Sequence, residues 1–148
     1  MRRYAGEDLG NNPHIVVLGS CKVGNFVVTT PTLNGLKSRF PDSVIGFIGS
    51  NLTADFERSH PCIDWRLSWD QDDSDALMYL AKSLVMAAQN HGPVDLAINL
   101  DGFNPVTQVL VSYLNPYYVA GGALSRNRRT RLSWGDLPSQ VFLADPDW

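Results

Sequence analysis

The sequence predicts an α/β fold in three layers, a parallel sheet with helices on both faces. Three observations carry that expectation. Short β-branched apolar runs alternate with longer helical patterns along most of the chain, the signature of successive strand–helix units. The clearest run, HIVVLG over His14–Gly19, is a continuous β-branched run, as in a strand covered on both faces. The chain has 148 residues, 44% of them hydrophobic and 18% charged, which suits one globular domain with a sizeable core.

The elements follow in order. His14–Gly19 is the first strand. Gly24–Phe40 is a helix with Leu33, Leu36 and Phe40 on one side, and Pro41-Asp42 ends it. Pro31 inside it predicts a kink or an irregular first half. Ser43–Gly49 is the second strand, and Leu52–Ser59 is a short helix that Pro61 stops. Ile63–Trp69 is a third strand whose apolar residues alternate with polar ones, so an edge or half-buried place is expected. Asp70–Asp75 opens the strongest helix, its carboxylates suited to capping and to the helix dipole. Leu77, Leu80, Ala81, Leu84 and Ala88 form its buried stripe, widened by Met78 and Val85. Gly92-Pro93 ends it. Val94–Leu100 is the fourth strand, Asp101–Pro105 a turn, Thr107–Leu114 a helix and Tyr117–Ala120 a fifth short strand.

From Gly121 onward the periodicity is lost. A basic cluster of Arg126, Arg128, Arg129 and Arg131 precedes Trp134, Leu137, Val141, Phe142 and Trp148. The expected organisation is an N-terminal tail over residues 1–12, an α/β domain over 13–121, and an irregular tail over 122–148. That tail is expected to pack on another domain or subunit, or to begin a linker to a second domain.

Composition narrows the function. A formal net charge of −3 argues against non-specific nucleic-acid binding, which needs a basic face. Cys21 and Cys62 lie in no CxxC pair or metal-ligand spacing and read as free thiols of a reducing compartment. His14, His60 and His91 are far apart in sequence and show no ligand spacing; His91 suits a helix C-terminus. MRRYAGEDLGNN holds no apolar signal-peptide core, and no apolar run approaches the roughly 18 residues of a membrane span. A cytoplasmic location is expected.

Two turns stand where ligands bind in such sheets, outside the carboxyl ends of strands. The first is GSCKVGNF, Gly19–Phe26. Gly19 and Gly24 have phosphate-loop spacing, but Asn25 and Phe26 replace the required Lys and Ser/Thr, so the β/γ-phosphate contact and the Mg²⁺ ligand are lost. What remains is a turn into a helix N-terminus with Ser20 and Lys22 beside it, either a modest anion or hydroxyl site or a plain turn whose Gly24 permits close helix–sheet packing. The second is DGFN, Asp101–Asn104. Its carboxylate could bind a polyol or act as a base, or could cap the next helix. The aspartates at 70, 72, 73 and 75 miss the calcium-loop pattern, with Asp75 and Ala81 where Gly and Glu belong. The DxD matches at Asp70-Gln-Asp72 and Asp145-Pro-Asp147 have little specificity, and the arginine cluster suits an acidic ligand or a solvated loop.

Taken together, Gly24-Asn25, Thr30-Pro31-Thr-Leu33, Lys37-Ser-Arg39-Phe-Pro41 and Asp95-Leu-Ala-Ile-Asn-Leu-Asp-Gly102 occur in a telling order. Over about residues 13–121 the chain resembles the N-terminal domain of glycosyltransferase family 9, the heptosyltransferase-like enzymes of bacterial lipopolysaccharide assembly. The resemblance implies one half of a GT-B protein, a Rossmann-like domain that binds the acceptor, while a second domain binds the nucleotide-sugar. It implies inverting transfer to a glycan or glycolipid, without metal or other cofactor, and peripheral association with a membrane where the acceptor is a lipid. Acceptor contacts would then fall to Ser20, Lys22, Gly24 and Asn104. The donor would be reached only through a second domain or subunit, and this chain alone would be inactive. The resemblance also places its usual catalytic aspartate at Asn25, and an amide cannot take up a proton at neutral pH. Asp101 then stands as the replacement base, with Asn99 and Asp101 exchanging carboxylate and amide relative to the family pattern. Two other readings stay open: a non-catalytic Rossmann-like protein that binds a glycan or a partner, and an unrelated small α/β enzyme that uses Asp101.

Overall fold

A computed structural model describes residues 1–69, 76–102, 104–124 and 131–134. The expectations for Asp70, Asp72, Asp73 and Asp75, for Arg126, Arg128 and Arg129, and for the stretch after Trp134 lie outside the described residues, as do the side chains of Leu77, Met78 and Ala81.

Among the described residues the strands are β1 (Arg2–Arg3), β2 (His14–Leu18), β3 (Val44–Gly49), β4 (Trp65–Ser68), β5 (Leu96–Asn99), β6 (Tyr118–Leu124) and β7 (Arg131–Trp134). The helices are α1 (Val23–Arg39), α2 (Ala54–Ser59), α3 (Ala76–His91) and α4 (Pro105–Leu114). The sheet runs β1-β6-β5-β2-β3-β4 with all neighbours parallel, and β7 pairs antiparallel with β6. The chain therefore builds outward from β2 through β3 to β4, crosses back by α3, and builds the other way through β5 and β6. The strand order reverses between β2 and β5.

Strand alternation sends two sets of side chains to opposite faces. Ile15, Val17, Ile45, Phe47 and Leu96 pack with Phe26, Leu33, Leu36 and Phe40 of α1. Val16, Leu18, Ile48 and Ala97 pack with Leu80 and Leu84 of α3 and Leu110 and Val111 of α4. Both faces are covered, which is why HIVVL and VIGFIG show no polar alternation. β4 closes one edge, as its alternating pattern predicted.

Several local expectations change. α1 is helical through Pro31, with no irregular first half. Proline cannot supply the N–H that the Val27 carbonyl would use, and the Thr30 hydroxyl donates to that carbonyl instead, at 2.8 Å. Val85 does not widen the buried stripe of α3. It is 50% exposed, because Leu80 and Leu84 already occupy the face turned to the sheet. The N-terminal residues contribute β1, with Arg2 N–H donating to Tyr117 O and Tyr4 N–H to Val119 O, each at 2.8 Å. The sheet also extends past residue 121, since β6 continues to Leu124 and β7 lies beside it.

The end of the sheet away from the two turns is fixed by polar contacts. Lys37 Nζ donates to Ser43 O at 2.5 Å and pairs with Asp64 at 2.9 Å, which ties the exit of α1 to the start of β3 and β4. This gives the KSRFP segment a structural role. His14 is 2% exposed at the start of β2. Its Nδ1–H donates to Gly92 O at 3.0 Å and its Nε2 accepts from Trp65 Nε1–H at 3.2 Å, the one tautomer that satisfies both. His91, distant in sequence, lies with its ring centroid 5.7 Å from that of His14.

Candidate functional site

In open α/β sheets the crevice for a ligand opens where strand order reverses, beyond the carboxyl ends of the two strands. Here those strands are β2 and β5, and both turns singled out in the sequence leave the sheet at this point. Leu100 N–H donates to Leu18 O at 2.9 Å and joins them.

The β2 turn leads into α1. Gly19 is the constrained glycine: a Cβ there would stand 2.5 Å from Phe47 Cζ. At Gly24 a Cβ would meet nothing within 4 Å, so the expectation that Gly24 serves close helix–sheet packing is corrected. Gly24 and Lys22 are exposed, and Ser20 and Asn25 are half-buried. Asn25 Nδ2 donates to Ser20 Oγ at 2.6 Å, so Ser20 and Asn25 form one polar unit at the head of α1. Lys22 occupies the N-cap position without a capping side chain, and the first turn carries no carboxylate. The leading N–H groups of α1 are thus neither capped by a side chain nor offset by a charge within the helix.

The β5 turn places Asp101. The residue that caps α4 is Asn104, whose Oδ1 accepts Val106 N–H at 2.9 Å, with Pro105 at the first helical position. The alternative in which Asp101 serves as the cap is thereby excluded. The Asp101 carbonyl accepts the Thr107 hydroxyl at 2.7 Å and Asn104 N–H at 3.1 Å, and its N–H donates to Asn99 Oδ1 at 3.1 Å. Among the described residues, the carboxylate itself takes only Asn104 Nδ2, at 3.3 Å. Burial raises the Asp101 carboxyl above the usual aspartate value, against the weaker lowering effect of that hydrogen bond. Asn99 is 4% exposed and uses both ends of its amide, since Nδ2 donates to Gly122 O at 2.6 Å. An aspartate could not make that donation.

The structure therefore brings Ser20, Lys22, Gly24 and Asn25 to one side of the switch point and Asp101 and Asn104 to the other. Among the described residues no group of three or more His, Cys, Asp or Glu could hold a metal ion. No helix among them is long and apolar enough to cross a membrane.

A second polar centre went unread in the sequence. Glu57 of α2 is fully buried. It accepts Arg66 Nε at 2.7 Å and Nη2 at 2.6 Å, the Thr53 hydroxyl, and Ser50 N–H at 3.3 Å. Arg66 Nη2 also donates to Ser50 O at 3.1 Å and Ser68 Oγ at 2.7 Å. This network fixes the loop between β3 and α2. A lone arginine inside the WRLS strand was the only sequence signal for it.

No protein-family model matches the sequence, and no curated protein sequence matches it. Solved structures do match the fold. The crystal structure of the glycosyl transferase family 9 from Veillonella parvula superposes with a TM-score of 0.65 at 23% identity, over 76% of this chain and 32% of that one. The E. coli ADP-heptose lipopolysaccharide heptosyltransferase II superposes with a TM-score of 0.57 at 14% identity, over 73% of this chain and 30% of that one. The chain spans about a third of the length of each, and its Rossmann-like α/β fold is similar to part of these glycosyltransferase structures.

Proposed function

We propose that this chain is the acceptor-binding domain of an inverting, metal-independent GT-B glycosyltransferase, acting on a glycan or glycolipid. One observation carries the reading. Asp101 stands at the switch point, half-buried, with a carboxylate that does not cap α4 and, among the described residues, pairs with no cation. In the proposed reaction the acceptor hydroxyl attacks the anomeric carbon of a nucleotide-sugar, the nucleotide leaves, and Asp101 takes the hydroxyl proton. A carboxyl raised by burial is better matched to that task than an ordinary one. Asn25 and Ser20 hold the acceptor by hydrogen bonds, and the open approach at Gly24 with Lys22 admits a polar or anionic group. The nucleotide-sugar is bound by a second domain or subunit, and a lipid-linked acceptor brings the protein to the membrane surface of the cytoplasm. No metal or other cofactor takes part, so transfer survives a chelator.

The test is transfer by the intact protein with Asp101→Asn. Loss of a general base lowers turnover by about 10²- to 10⁴-fold. Unchanged turnover sinks the assignment. Asn25 favours a second reading, a non-catalytic glycan-binding protein, because its amide occupies the place of the base that the sequence resemblance implies. Acceptor binding without transfer in the unmutated protein would identify that case.

A further inference from the structure

We propose that Asn99 and Gln108 are positioning residues that clamp the backbone at Asp101 and Gly102 so that the Asp101 carboxylate is held in the crevice. The inference rests on the reading of that crevice as the functional site. Asn99 and Gln108 are 4% and 3% exposed, rare burial for amides, which are tolerated there only when hydrogen-bonded. Gln108, on α4, donates from Nε2 to Gly102 O at 2.5 Å. Asn99 reaches across to Gly122 O with one end of its amide and holds Asp101 N–H with the other. The turn also lies hard against β6, since a Cβ on Gly122 would stand 2.8 Å from Gly102 Cα. The residues on both sides of the Asp101 side chain are thus anchored, on β6 through Asn99 and on α4 through Gln108. In this proposal the fixed backbone keeps the half-buried carboxylate where burial removes part of its hydration. Among the described residues, burial raises the Asp101 carboxyl and the Asn104 hydrogen bond opposes that rise.

The experiment is a carboxyl NMR titration of Asp101 in the chain itself, without donor or acceptor. Gln108→Met keeps the length of the side chain and removes its donor, and Asn99→Ser shortens the other clamp. Ser112→Ala is the control, because Ser112, on the same helix, donates to Gln108 O and to Leu124 O of β6 rather than to the turn. The expected result is that the Asp101 midpoint falls toward the ordinary aspartate value in either clamp variant and stays in place in Ser112→Ala. Should one clamp variant fail to fold, the other reads the same quantity. An Asp101 midpoint unmoved by the clamp variants, or moved equally by Ser112→Ala, overturns the proposal. The readout needs no turnover. A clamp that holds while Asp101→Asn transfers normally would retire the catalytic assignment alone.

Discussion

Glu57→Ala should be the most damaging single truncation in the polar interior. The Glu57 carboxylate is fully buried and its partner Arg66 is 13% exposed in its side chain, so neither charge has water to fall back on. The substitution removes the acceptor for Arg66 Nε and Nη2, for the Thr53 hydroxyl and for Ser50 N–H at once. Stranding one charge of a buried pair costs about 3–5 kcal/mol. Against a total stability of about 5–15 kcal/mol, that is a large share. With a urea slope near 2 kcal/mol per molar, the unfolding midpoint should fall by about 1.5–2.5 M. Equilibrium urea unfolding followed by tryptophan fluorescence measures it. Replacing both partners, Glu57→Met with Arg66→Met, should recover most of the loss, because no charge is then left buried alone. A midpoint shift below about 0.5 M for Glu57→Ala, or a double variant worse than the single, would refute the reasoning.

The other predictions rest on single contacts. Gly19→Ala should lose about 1–3 kcal/mol in thermal unfolding, since its Cβ would meet the Phe47 ring at 2.5 Å, whereas Gly24→Ala should gain about 0.5–1 kcal/mol in the open first turn of α1. Reversed signs would contradict the packing described. Burial, the largest influence, lowers His14 below the ordinary histidine value of 6.5, so its neutral form is the folded one and the unfolded chain binds more protons. Its contribution to stability is complete above pH 6.5 and is lost as pH falls below that value toward the folded one, with the half-buried His60 shifted the same way. Urea midpoints at descending pH should fall, and His14→Gln should flatten the trend. Burial raises Asp101 above the ordinary aspartate value of 3.8, so stability drops as pH rises from there through the folded value. Asp101→Asn should remove that slope and leave the melting temperature at pH 7 equal or higher. A clear loss of stability in Asp101→Asn would mean that the carboxylate serves the fold.

What could be read in the sequence was what backbone pattern and side-chain polarity dictate locally. HIVVL, VIGFIG and LAIN announced buried parallel strands because both faces of each are covered, and Gly92, at φ +83°, ended α3 as expected. The two candidate turns were legible because each follows the carboxyl end of a strand in the sequence and carries polar residues. β1 was not, since two arginines make a strand only through backbone pairing with β6. The roles of Gly19 and Gly24 were exchanged because closeness to Phe47 depends on β3, far along the chain. The capping of α4 by Asn104 rather than Asp101 turned on where the first helical turn begins, a matter of a few residues. The Glu57–Arg66 pair and the Asn99–Gln108 clamp join positions nine residues apart in sequence, and only the fold decides that they meet or act together.

The central claim is that the crevice between β2 and β5 receives a glycan acceptor beside Asp101. The most direct measurement is to screen the isotope-labelled protein against an array of glycans and glycolipid head groups, and then to map the strongest binder by amide NMR shifts. The account predicts that the perturbed amides cluster in Ser20–Phe26 and in Leu100–Asn104, and that Asp101→Asn changes their response. Binding that maps instead to the opposite end of the sheet, around Asp8–Pro13 and Arg39–Asp42, or an array on which nothing binds, would contradict it.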